Sequence, residues 1–151
     1  MTTKQDVAAA LRAFEEGKAQ KADRIKNRIA MVTTELHEAY RKVESWVYRI
    51  EGLTTEKIAA SSHLEVEDQT VGWSAYQLNF AGTHIVFQPE LKFDDVHLRV
   101  DWEWGDYQTI LLKSVPDGFE VLDLPGRRSL GMLTQEHLLG EVIRIAQAQP
   151  I

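Results

Sequence analysis

Apolar residues recur between Ile25 and Ile50 at an unbroken 4-3-4-3 spacing: Ile25, Ile29, Val32, Leu36, Ala39, Val43, Trp46 and Ile50. A strand repeats every two residues and cannot use that spacing, whereas a helix of 3.6 residues per turn makes it one continuous stripe. The spacing predicts a main helix from Lys21 to Ile50, closed by Gly52 as a glycine C′ with the hydrophobic Leu53 behind it. An earlier stripe of Val7, Leu11 and Phe14 predicts a start near Thr3 or Asp6. Gly17 and the polar run Lys18–Lys21 separate the two stripes. Glycine inside a helix costs about 1 kcal/mol relative to alanine, so a hinge, a break or a frayed entry is expected near Gly17.

From His63 the period changes to two. Val96, Leu98, Val100, Trp102 and Trp104 alternate with His97, Arg99, Asp101 and Glu103, predicting a strand with one core face and one polar face. Tyr76, Leu78 and Phe80 alternate before Ala81-Gly82, and Thr83–Gln88 follows as the return strand of a hairpin. Val71 and Trp73 are out of phase with Tyr76, which predicts a bulge near Ser74. Trp104-Gly105-Asp106-Tyr107 reads as a turn into a strand Gln108–Val115, and Pro116-Asp117-Gly118 as a turn into a strand Phe119–Leu124. Pro125-Gly126 suits the centre of a type II turn. Thr54–Ser62 admits either a short helix through Ala60 or a linker.

Thr134 is a good N-cap for a closing helix, with Glu136 in its first turn, Leu133 and Leu138 at hydrophobic-staple spacing, and Pro150 at its end. The expected class is α+β: a long N-terminal helix, an antiparallel sheet of about four to six strands, and a C-terminal helix packed on the sheet. Residues 1–53 form a helical arm and residues 54–151 an α+β body, within a single structural domain.

The long stripe can be covered in two ways. Tyr40, Val47 and Tyr48 widen the apolar face around Leu36–Ile50, which suits packing on a sheet. Ile25–Leu36 is narrow, as in paired helices. Twenty-six residues span about 39 Å, against about 20 Å for a typical strand. The expectation is that the C-terminal half covers the protein's own sheet and the N-terminal half pairs with a second copy, a homodimer being the commonest solution.

The chain has 151 residues, 44% hydrophobic and 26% charged, the composition of one globular domain. With no cysteine, disulfides, cysteine-ligated metals and thiol catalysis are excluded. The N-terminus leads into no apolar signal-like core and no run reaches membrane-spanning length, so cytoplasmic residence without a membrane partner is expected. The net charge of −6 is uneven: residues 1–57 carry 11 Lys/Arg against 9 Asp/Glu, and residues 58–151 carry 6 against 14. A mildly basic arm precedes an acidic body, and attraction between the two, within or between chains, follows.

Asp101-Trp102-Glu103-Trp104-Gly105-Asp106-Tyr107 mixes carboxylates and aromatics as sugar sites do. Strand parity opposes that reading, because the rings and the acids point to opposite faces. Asp94, Asp95, His97, Arg99, Asp101, Glu103 and Asp106 are the candidate surface for a protein partner, and its five acids, Asp94, Asp95, Asp101, Glu103 and Asp106, are the charges that would imitate nucleic acid. Lys18, Lys21, Arg24, Lys26 and Arg28, with Arg127 and Arg128, are the candidate phosphate contacts. The five histidines show no ligand spacing, and no nucleotide-loop or nucleophile-elbow motif occurs; no metal or cofactor is implied. The pattern favours a non-enzymatic interaction protein that dimerises through its N-terminal helix. The rivals are a nucleic-acid binder using the basic arm, and a small-ligand binder or hydrolase at Trp102–Tyr107.

Overall fold

A computed structural model describes residues 1–66, 69–93 and 95–151, with residues 60–65 described through their backbone alone. Helix α1 (Lys4–Val47) opens on a capping box. The Thr3 side chain accepts from the Asp6 amide at 3.2 Å, and Asp6 Oδ2 accepts from the Thr3 amide at 2.8 Å, satisfying donors that a helix start leaves open. The helix runs unbroken through Gly17, so the chain shows no break there. Strong helix formers on both sides, Ala13, Glu15 and Glu16 before it and Lys18, Ala19 and Gln20 after it, outweigh one glycine.

Helix α1 stops at Val47, three residues short of expectation. Tyr48 leaves the helical region (φ −59, ψ 132), and Arg49 and Gly52 take the left-handed conformation with φ of 59 and 88. Two tight turns follow, with the Ile50 amide donating to Val47 O at 3.3 Å and the Leu53 amide to Ile50 O at 3.2 Å. The stripe therefore ends on Val47, and Ile50 is carried out of the core.

Seven antiparallel strands follow in meander order among the described residues: β1 (Leu53–Val66), β2 (Gln69–Phe80), β3 (Thr83–Lys92), β4 (Asp95–Val100), β5 (Ile110–Val115), β6 (Gly118–Leu122) and β7 (Ser129–Leu133). Helix α2 (Gln135–Gln147) closes the fold on the Thr134 cap. The architecture is the α+β arrangement expected, with one strand more than the upper estimate. The ambiguous stretch Thr54–Ser62 belongs to β1, and β7 lies in a segment whose periodicity marked no strand.

The bulge lies opposite Ser74. Pairing of β1 with β2 jumps from Ile58↔Ala75 to Ser62↔Trp73, so three residues of β1 face one residue of β2. Burial changes phase there, with Trp73, Ala75 and Tyr76 all buried. The Ser74 carbonyl lies outside the regular ladder and accepts from the Tyr40 hydroxyl at 2.7 Å. Tyr40 also stacks on Tyr76, ring centroids 5.1 Å apart. The bulge thus docks on α1 by name and geometry.

Both helices cover one face of the sheet. Val32, Leu36, Ala39, Val43 and Val47 of α1 pack with Leu78, Phe87, Leu98, Ile110, Leu112 and Phe119 of the sheet, and with Leu138 of α2, in one continuous core. The other face is not wholly wet, because Leu111, Leu122 and His97 are buried outside that core. Residues 123–128 fold back over it. Asp123 Oδ1 accepts from the Arg127 and Arg128 amides at 2.9 and 3.1 Å. Gly126, at φ 76, sits where a Cβ would touch Leu111 at 3.5 Å. The turn closes one residue earlier than expected, the Gly126 amide donating to Asp123 O at 2.8 Å.

Candidate interaction site: the projecting arm and an acidic groove

Val7, Ile25 and Val43 are spaced by 18 residues, about five turns of α-helix, and so lie on one line along α1. Val43 is fully buried, Ile25 is 7% exposed and Val7 is 50% exposed. The face that grips the sheet therefore continues past it. Residues 1–24 are exposed throughout, and Lys4 to Arg24 extends about 30 Å at 1.5 Å per residue. Leu11 and Phe14, 62% and 66% exposed, lie on the same side, so the overhang carries a bare apolar stripe.

This relocates the outward-facing segment. Val32, Leu36, Ala39 and Val43 are buried against the chain's own sheet, Ile25 is buried as well, and Ile29 and Trp46 are half-buried. The narrow stretch Ile25–Leu36, expected to meet a second copy, is internal packing. Trp46 stands edge-on to Phe119 with centroids 5.6 Å apart, and Ile50 is exposed in the turn beyond the helix. The sequence signal of the true overhang was present in Val7, Leu11 and Phe14, but their run was too short to outweigh the longer stripe.

Beside α1 a groove of about 260 Å³ opens toward β4 and β5. Leu98, Leu112 and Phe119 lie buried beneath it, and Glu35, Glu38 and Asp95 stand around it with Lys113. Lys113 Nζ lies 3.4 Å from Asp95 Oδ2. Glu35 and Glu38 have no ion-pair partner among the described residues, although the Glu38 charge acts on Lys42 one turn along. Lys42 is engaged, donating to Ser114 Oγ and Val115 O at 2.6 Å and to Gly118 O at 2.8 Å. Neither glutamate was singled out in the sequence, because nothing in a helix's own pattern tells which of its acids will border a sheet.

The expected acidic surface is dispersed. Asp95 joins the groove. His97 is 3% exposed, its Nδ1 3.0 Å from Asp95 O, so it is removed from any contact surface. Arg99 lies between Glu90 and Asp101 at 3.8 Å from each, and Thr109 donates to Asp101 at 3.0 Å. Strand β4 ends at Val100, so Glu103 leaves that row and comes within electrostatic reach of Arg144 on α2. Asp106 is exposed in the tight Trp104–Tyr107 turn, and Asp94 lies outside the described residues.

The Trp/acid segment keeps the parity expected of it. Trp102 is in the core. Trp104 donates from Nε1 to Leu130 O at 3.2 Å and lies against His137, ring centroids 4.4 Å apart. The acids are outside, and rings and carboxylates do not converge. Among the described residues no three His, Asp or Glu side chains form a group able to hold a metal, and no helix is long and apolar enough to cross a membrane. The basic candidates fall in two places: Lys18, Lys21, Arg24, Lys26 and Arg28 along α1 near the start of the overhang, and Arg127 and Arg128 in the loop on the far face. Arg127 lies 5.9 Å from the Phe93 ring.

The chain matches no protein-family model, and no curated protein or solved structure matches it. The fold is α+β, and its two notable surface features are an exposed apolar stripe on α1 and an acid-rimmed groove.

Proposed function

We propose that this protein is a non-enzymatic interaction protein that self-associates through the N-terminal part of α1 and offers its acidic α+β body to a protein partner. The observation that carries this reading is the line Val7–Ile25–Val43: one helical face that is core at one end and bare at the other. An apolar stripe on an overhang of about 30 Å contributes nothing to its own domain and needs a partner to leave water. A second copy supplies an identical stripe at equal concentration, and closed two-fold pairing covers both. The uneven charge, with an excess of eight acids after residue 57, keeps bodies apart and attracts partners of opposite sign.

Sedimentation equilibrium over a range of concentrations tests the reading. The wild-type chain is expected to form a dimer, and Val7→Glu with Leu11→Glu to be monomeric with unchanged circular dichroism, since both positions lie outside the core. A wild-type chain that stays monomeric at the highest soluble concentration refutes it.

A further inference from the structure

The groove beside α1 and the overhang of α1 have matching chemistry. We propose that the groove of each copy receives Phe14 and Lys18 from the overhang of the other; this rests on the self-association proposed above and names where the overhang docks. Phe14 and Lys18 are four residues apart and project from one side of the helix. Phe14 is 66% exposed, and the groove of about 260 Å³ has room for one aromatic ring beside the half-buried Val96 and Lys113, with Leu98, Leu112 and Phe119 buried beneath them. Lys18 then meets Glu35 and Glu38, the two rim carboxylates with no ion-pair partner among the described residues. The other cations at the groove are engaged: Lys113 with Asp95, and Lys42 with the end of the β5–β6 hairpin.

Symmetry permits the exchange. Phe14 and Leu36 are 22 residues apart on a continuous helix, about 33 Å. A two-fold axis crossing α1 near Ile25 sets Phe14 of each copy beside the Glu35–Glu38 turn of the other, with the helices antiparallel, and the assembly closes at two subunits. Stripe-against-stripe pairing of the overhangs alone offers three large apolar side chains per copy, well below the roughly 800 Å² per partner of a standard interface. Docking along the neighbour's body adds the groove and the flank of α1. The ring supplies the anchor in a pocket, while the rim charges, being exposed, fix orientation more than affinity.

A charge-swap experiment on the full chain tests this by sedimentation equilibrium. Phe14→Ala is expected to weaken the dimer by at least about tenfold. Lys18→Glu, and separately Glu35→Lys with Glu38→Lys, each place like charges at both contacts and are expected to weaken the homodimer by about tenfold. Mixing the two charge variants restores opposite charges at one contact and leaves the other wild-type, so a heterodimer of near wild-type affinity is expected. Circular dichroism of each variant confirms that it is folded. Glu35→Lys/Glu38→Lys that dimerises as tightly as wild type, or a mixture that stays monomeric, overturns the docking while leaving self-association standing. A monomeric wild type overturns both.

Discussion

Lys42 Nζ donates to the Gly118 carbonyl at 2.8 Å, fastening the C-terminal end of α1 to the turn of the β5–β6 hairpin. The same ammonium donates to Val115 O and Ser114 Oγ and lies 4.7 Å from the centre of the Phe119 ring. Burial lowers its pKa, while Asp117 and Glu38 act in the opposite sense. Lys42→Met keeps the aliphatic stem but leaves two main-chain carbonyls without this donor. It is expected to destabilise the fold by about 1–3 kcal/mol, read as a lower urea midpoint with an unchanged m-value.

Two glycines are expected to respond in opposite directions to alanine. At Gly118 a Cβ would enter the contact shell of the Leu133 carbonyl oxygen on the paired strand. Gly118→Ala is therefore expected to cost about 2–3 kcal/mol. At Gly17 a Cβ would meet nothing, and Gly17→Ala is expected to strengthen the helix locally by about 1 kcal/mol. Hydrogen exchange of the amides around residue 17 should slow, while the global unfolding midpoint stays put because the overhang lies outside the core.

Alkaline pH should reveal Tyr40. Burial holds its phenol well above the ordinary 10.0, and burial also raises Tyr76. The unfolded chain ionises these groups near 10.0, so their contribution is complete below that pH. It is lost as pH rises toward the folded values, because unfolding then releases protons. A phenolate absorbance titration should show two of the four tyrosines ionising late. Tyr40→Phe should remove one late step and cost about 1 kcal/mol through the lost bond to Ser74 O.

Acid should reveal Asp123. The Arg128 amide, with those of Arg127 and Gly126, holds its carboxyl below the ordinary 3.8. A depressed carboxyl stabilises the fold above the unfolded value, and that contribution fades as pH falls through the folded one. Carboxyl carbon NMR should give a midpoint below 3.8. Asp123→Ala should loosen residues 123–128 over Leu111, seen as exchange of the Arg128 amide faster by about tenfold. A midpoint at or above 3.8 would contradict the loop geometry.

Elements with a clean period were legible along the chain. Helix α1 shows itself because its apolar face repeats over many turns, and β4 because Val96, Leu98 and Val100 alternate without interruption. The bulge at Ser74 was legible as a slip of phase. Strand β7 was not: Ser129–Leu133 is five residues long and contains Gly131, too little to display a period. Strand β1 was masked by Thr54, Thr55, Glu56 and Lys57, polar residues tolerable because it lies at the sheet edge. The buried state of Leu111 was invisible because the loop of residues 123–128 folds against it, and no local pattern encodes that cover.

The linear order of residues settled the two helices α1 and α2, the Tyr76–Gln88 hairpin and the inward side of β4, since those follow from periods of 3.6 and two. Which part of α1 is core and which is bare was decided only in three dimensions. Val7 and Val43 are equivalent on the helix surface, and only the reach of the sheet beneath them makes one an anchor and the other an open contact. The groove likewise exists only because α1 crosses β4 and β5, bringing Glu35 and Glu38 beside Asp95 from distant points of the chain.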